Sequence, residues 1–252
     1  MTWKININTD VGDGYGQWRL GVDEEILSLV PTVNIACGFH AGDPRIMHRV
    51  TARAVELGVD VGAHVSLPDL RGFGRRPMEI DPGDLRDDVL YQVGSLDAFV
   101  RAEGGAMRHV KPHGALYTMC GKRVDYAQAL LEAVAKYDDE LIVITGPGWP
   151  QRLAADYGLT VVGEGYIDLD YRPDGYPEAE ETRRPRDPED VALRALRIVK
   201  EHTAKALDGS AIEVVTPTLC LHGDRSVIRH VRERLAEEDV DVVGLSSALA
   251  AA

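Results

Sequence analysis

The sequence predicts an α/β fold, a single (β/α) barrel of seven or eight strands spanning residues 1–252. Two observations carry this expectation. Short apolar runs of strand type alternate with segments of helical spacing along the whole chain, the pattern of a parallel sheet with covering helices. Seven or eight such units in 252 residues suit a β/α barrel better than an open sheet. Second, Asp10, His40, His64, Lys111, His113, Glu164, His222 and Asp224 all fall just after predicted strands. In a barrel those strand ends converge on one mouth, where such enzymes keep their chemistry.

Taken in order, Lys4 to Thr9 alternates and reads as a first strand, running into a loop with three glycines and two carboxylates, Asp10 to Gly16. Asp23 to Leu29 reads as a short helix. Val33 to Cys37 is the second strand; Asp43-Pro44 starts a helix, the carboxylate capping free N–H groups and the proline fitting the first helical position. The stripe Ile46, Met47, Val50, Ala54 and Leu57 continues it, with His48 expected in solvent. Val59 to Ala63 is the third strand, and Asp81-Pro82 opens a helix reaching about Ala102. Met107 to Val110 leads into Lys111-Pro112-His113-Gly114, with His109 deeper on the same face. Val124 to Tyr137 reads as a helix, Leu141 to Thr145 as a buried strand, and Thr160 to Gly163 as a strand ending at Glu164. Residues 165–187 form a long polar connection, the kind that is usually a lid or disordered. Asp187-Pro188 starts a helix to about Leu207, with His202 facing solvent. A strand lies within Ile212 to Leu221, broken by Pro217; Ser226 to Glu237 is a helix with His230 exposed; Asp241 to Val243 is a last strand.

The charge balance is 28 basic against 41 acidic residues, or −13, which argues against nucleic acid or an anionic membrane as partner. Cys37, Cys120 and Cys220 are widely spaced, with neither a disulfide framework nor a CxxC metal knuckle, and suggest a reducing, cytoplasmic location. There is no basic segment leading into an apolar run at the N-terminus, and no membrane-length apolar stretch.

A carboxylate, histidines and a lysine at strand ends suit chemistry that needs an activated water, proton carriers and a stabiliser of developing negative charge. Asp10 with His40, His64 and His113 could position the water directly or through a divalent metal ion, as a His/Asp set on separate strand ends suits zinc or another transition ion. Lys111 and His113 are two apart in an extended segment and face the same way, so each lowers the other's pKa by like-charge repulsion. Arg75 and Arg76, behind two glycines, could clamp a substrate carboxylate or phosphate, or form surface salt bridges. The glycine-rich first loop is not a phosphate loop, since no Gly-Lys-Ser/Thr follows, and it lacks the DxDxDG calcium spacing.

The stretches INTDVGDGYG, VNIACGFHAGDP, GAHVSLPDLRGFGRR, YQVGSLDAF and VKPHGALY, with LCLHGD at 219–224, resemble the LamB/YcsF family, the A subunits of 5-oxoprolinase, also called lactam-utilisation proteins. The resemblance implies a distorted TIM-like barrel of the (β/α) type, related to polysaccharide deacetylases. It also implies ATP-dependent opening of the lactam 5-oxoproline to glutamate, with ATP supplied through two partner subunits. Carried over by motif, Asp10, His40, His64, Lys111, His113, Glu164, His222 and Asp224 line the site, with Asn34 binding substrate. The chain departs from the family pattern at Asp13, where a glutamate is usual, and at Val65, where a proline is usual. It departs again at 163–171, which lacks the family's arginine, and at 175–179. Two other classes stay open: a stand-alone metal-dependent amidase or deacetylase on a small amide or lactam, and a module that only captures a small carboxylate within a larger assembly.

Overall fold

Parallel strands followed by helices run through the chain in the computed structural model, which describes residues 2–18, 23–178, 180, 184–222 and 225–251. Among these residues the strands are β1 (Trp3–Val11), β2 (Thr32–Ala36), β3 (Asp60–Val65), β4 (Met107–Pro112), β5 (Ile142–Ile144), β6 (Val161–Val162), β7 (Gly165–Tyr166), β8 (Thr203–Lys205), β9 (Ala211–Glu213), β10 (Thr218–Cys220) and β11 (Val240–Val242). The helices are α1 (Asp23–Ile26), α2 (Pro44–Glu56), α3 (Pro82–Ala102), α4 (Gly114–Lys122), α5 (Val124–Tyr137), α6 (Trp149–Leu153), α7 (Pro188–Glu201), α8 (Arg225–Glu237) and α9 (Leu245–Leu249). The fold class is therefore the expected one, α/β with parallel strands and covering helices, on the β/α-barrel plan. The chain divides into two compact units: Met1–Thr9, Glu25–Thr32 and Gly163–Ala252 form the first, Asp10–Glu24 and Val33–Val162 the second.

In the second unit the strands lie in the order β6-β5-β4-β3-β2. Every residue of β2 and β5 is buried, as expected of parallel strands covered on both faces. Asp43 caps α2 by accepting from the Arg45 and Ile46 N–H groups, and Ile46, Met47, Val50 and Ala54 turn inward at helical spacing. In α3 the same spacing buries Leu85, Val89, Val93, Leu96 and Val100. The register of β3 on β4 sets His64 beside Lys111 and Gly62 beside His109. Because side chains alternate along a strand, these paired positions share one face.

In the first unit β1 is flanked by β10 and β11, and β10 pairs with β7, all in parallel. Helices α7 and α8 pack together there. Two departures from the sequence reading fall in this unit. Helix α7 stops at Glu201 because His202 takes a left-handed conformation, with φ of 53°. The chain then forms an antiparallel pair, β8 with β9, where a continuing helix was expected. The β-branched Thr203 and the Asp208-Gly209 turn are the local signals for it. Second, the described part of 165–187 is anchored rather than loose. Tyr166, Ile167, Tyr171 and Tyr176 are buried, and Asp170 receives Arg186 at 3.2 Å and Arg194 at 2.9 Å. The segment therefore has a core and ion pairs of its own. None of the described helices is long and apolar enough to cross a membrane.

Candidate active site

The C-terminal ends of consecutive strands carry the site residues of the second unit. Asp10 is the penultimate residue of β1, His64 of β3 and Lys111 of β4. His40 sits in the loop between β2 and α2, and His113 immediately precedes α4. His40, His64, Lys111 and His113 are all buried.

Asp10 is the hub. Its Oδ1 accepts from Asn34 Nδ2 at 2.8 Å and lies 3.4 Å from Lys111 Nζ, while its Oδ2 lies 3.2 Å from His64 Nε2. The imidazoles carry their protons on the far side. His64 Nδ1 meets the Lys111 carbonyl oxygen at 3.0 Å, and His113 Nε2 meets the Phe73 carbonyl oxygen at 2.8 Å. A carbonyl only accepts, so both of those nitrogens donate, and in the neutral rings the opposite nitrogens hold lone pairs. Those two, His64 Nε2 and His113 Nδ1, face each other at 3.0 Å beside the Asp10 carboxylate. Three electron-pair donors thus converge, and the arrangement calls for a proton or a cation between them.

His40 joins the group by stacking on His113, with ring centroids 3.9 Å apart. Neither of its ring nitrogens has a hydrogen-bond partner among the described residues. Donor atoms of His40, His64 and His113 all lie within 4.8 Å of one another, a grouping able to hold a metal ion. The donor set fits a divalent ion: His40 with both ring nitrogens unpartnered among the described residues, the facing nitrogens of His64 and His113, a carboxylate, and outer hydrogen bonds from the far nitrogens of His64 and His113 to backbone carbonyls. Burial, and then the neighbouring histidines, push His40 well below the usual histidine range. Burial, followed by His64, takes His113 down to about 3. Both rings are held neutral, the form that ligates.

The loop after β3 closes one side. Phe73, whose carbonyl fixes His113, has φ of 55°, and Gly74 has φ of 66°. A Cβ on Gly74 would lie 2.3 Å from Ser66 Oγ and 2.8 Å from both His113 Cδ2 and His40 Cβ. Only glycine permits this approach without displacing two site histidines.

The two arginines of this loop part company. Arg76, expected to clamp substrate, is held by the buried Asp69, whose carboxyl Arg76 keeps below the usual range. The salt-bridge reading of Arg76 therefore describes the structure. Arg75 lies over the Phe73 ring, 5.2 Å from its centroid. Asn34, expected on substrate, spends its amide inside the protein: Nδ2 goes to Asp10, and Oδ1 meets His109 Nε2 at 2.7 Å. Sequence reasoning set His109 aside, although its place two residues before Lys111 on one strand face was a usable signal.

Glu164 and His222 belong to the first unit, where each has its own partners. Glu164 is bonded by Asn8 Nδ2 at 3.2 Å and by the Tyr166 hydroxyl at 3.1 Å. His222 approaches Asp168 through Nδ1 at 3.2 Å, and its backbone N–H donates to the same carboxylate at 2.7 Å. Cys220 Sγ lies 3.4 Å from His222 Nε2. Asp168 was visible in the polar connection but was not assigned to the site; its bond to His222 joins residues 54 apart in sequence, which spacing alone does not reveal. Asp224 lies outside the described residues.

Parallel strand ends that carry a half-buried carboxylate, a buried lysine and three convergent buried histidines suit hydrolytic chemistry. Comparison with known proteins narrows the class. Residues 5–250 match the LamB/YcsF family, and the chain belongs to it. It is 40% identical over 247 residues to the 5-oxoprolinase A subunit of Pyrococcus furiosus, covering 95% of this chain and 97% of that protein. It is 42% identical to the protein of the same name from Methylococcus capsulatus over the full length of both. Among solved structures, a lactam utilization protein from Thermus thermophilus matches with a TM-score of 0.87 and 41% identity, over 96% of this chain and 99% of that one.

Proposed function

We propose that this chain is the ring-opening subunit of a 5-oxoprolinase, converting 5-oxoproline to glutamate with ATP supplied through two partner subunits. The observation that carries the reading is the convergence of Asp10, His64 and His113 beside Lys111. It occurs in a chain similar over its whole length to proteins named as the A subunit of 5-oxoprolinase. The word "subunit" in those names supports a multi-subunit assembly. With no phosphate loop in this sequence, ATP chemistry is assigned to the partners.

In the ring opening, water adds its oxygen to the lactam carbonyl carbon, the C–N bond breaks, and the ring nitrogen leaves as an amine with a proton gained. Asp10 orients the water and takes its proton, Lys111 stabilises the oxyanion, and the lone pairs of His64 and His113 are kept for a cation. Arg75 is assigned to the substrate carboxylate; Glu164, His222 and Asp224 complete the proposed set. His40, His64 and His113, beside Asp10, would hold a divalent cation, which would supply Lewis acidity toward the carbonyl. The proposed location is cytoplasmic.

The test is glutamate release from 5-oxoproline by the chain with and without its partners and ATP. Turnover only in the complete mixture supports the proposal. The converging lone pairs favour one second reading, a stand-alone metal-dependent amidase. Robust ATP-free opening of a lactam by this chain alone would replace the first reading with that one.

A further inference from the structure

Behind Asp10 runs a buried hydrogen-bond chain whose direction follows from chemistry alone. Asp10 Oδ1 is 2.8 Å from Asn34 Nδ2. A carboxylate only accepts, so the amide nitrogen faces it and the amide oxygen faces away. That oxygen meets His109 Nε2 at 2.7 Å, and a carbonyl oxygen also only accepts. His109 is therefore the Nε2–H tautomer, and donation runs from His109 to Asn34 to Asp10. The His109 residue is fully buried, and its Nδ1 has no partner among the described residues.

The place of the ring is set by its neighbour. Gly62 is the register partner of His109 across β3 and β4, and a Cβ there would lie 2.2 Å from His109 Nε2. The missing side chain at 62 is the room the imidazole occupies. An asparagine amide can turn end for end, and turned it would press its oxygen against the Asp10 carboxylate. We infer that His109, seated against Gly62, is a positioning residue that locks the Asn34 amide with its donor toward Asp10. This fixes which Asp10 oxygen is left to face His64. The inference rests on the reading of Asp10 as the carboxylate of the site.

The experiment combines side-chain ¹⁵N NMR of the full chain with kinetics in the complete assembly. In the unsubstituted protein near neutral pH, His109 is expected as the neutral Nε2–H tautomer, with slowly exchanging Asn34 side-chain amide protons. The Nδ1–H tautomer, or an imidazolium, would overturn the inference without any variant having to fold. His109→Leu and Gly62→Ala are expected to shift the Asn34 amide signals and lower kcat by roughly ten- to a hundredfold, as loss of outer-shell partners does, with KM little changed. His109→Gln, which can still donate, is expected to restore most of kcat and the Asn34 signals. Unchanged Asn34 signals and kcat in a folded His109→Leu protein would reduce His109 to core filling. Should the unsubstituted complex open no lactam, the proposed function falls, while the tautomer and the Asn34 signals still decide the positioning role.

Discussion

Lys111 offers a sharp test at the scale of the residue, because its charge and its length can be separated. Its Nζ is buried 3.4 Å from Asp10 Oδ1, so Lys111→Met keeps most of the stem and removes only the ammonium. If the ammonium meets an oxyanion, turnover is expected to fall by about a hundredfold or more, as when an oxyanion donor is lost elsewhere. The Michaelis constant is expected to change far less, since that charge exists only in the transition state. A folded Lys111→Met protein with full turnover would remove Lys111 from the mechanism; a lowered melting temperature with normal turnover would leave it a packing role. The metal reading is tested on the same residues without substrate. Elemental analysis after purification free of chelator is expected to find a divalent ion. Adding Zn²⁺, Mn²⁺ or Co²⁺ to stripped protein is expected to raise its melting temperature; an ion at a hundred times its Kd contributes about 2.7 kcal/mol. A combined His40→Ala and His113→Ala protein that keeps the full metal-induced shift would place the ion elsewhere.

At the scale of the element, two short segments hold the site's loops. Asp43 caps α2 and also accepts from the Gly16 N–H at 2.7 Å, tying the first loop to the start of that helix. Partial burial alone would raise its pKa, but the N–H donors of Ile46, Gly16 and Arg45 outweigh it and hold the carboxyl below the usual range. The folded pKa thus lies below the unfolded one, about 3.9. The stabilisation is fully present above the unfolded value and is lost as pH falls through the folded value. Asp43→Ala is expected to cost about 1 kcal/mol near neutral pH, typical of a lost cap. The difference should shrink toward pH 3 in urea titrations; a pH-independent difference would deny the charge any role. In the loop after β3, Gly74→Ala is expected to destabilise by about 1–3 kcal/mol, since a left-handed φ of 66° is combined with contact on His40 and His113. It is also expected to weaken metal binding, whereas a variant with unaltered melting and metal affinity would contradict this account of the loop.

At the scale of the whole molecule, what the sequence revealed and what it hid divide along a physical line. The Asp43-Pro44 and Asp81-Pro82 starts were readable because capping is local, and α2 and α3 begin where those pairs stand. Asp10, His64, Lys111 and His113 were readable because each stands at the end of a strand that local pattern reveals, although β1, β3 and β4 run one residue past Asp10, His64 and Lys111. Contacts decided by partners distant in sequence were not readable. The use of Asn34 by His109 and Asp10 and the anchoring of 165–187 through Asp170 both depend on tertiary neighbours. The β8–β9 pair escaped for a related reason: the helical pattern of α7 runs into it, and a single left-handed residue, His202, ends the helix. The match to the LamB/YcsF family over residues 5–250 accounts for the shared plan.

The central claim is that the Asp10 centre opens the lactam. It is tested most directly by glutamate release from 5-oxoproline in the complete assembly with ATP, comparing the natural chain with Asp10→Asn. The substitution keeps size and an oxygen for Asn34 and Lys111 but removes the negative charge beside His64. The expected result is a loss of kcat of about a hundredfold or more with the fold intact. Undiminished glutamate release by a folded Asp10→Asn protein would contradict the claim.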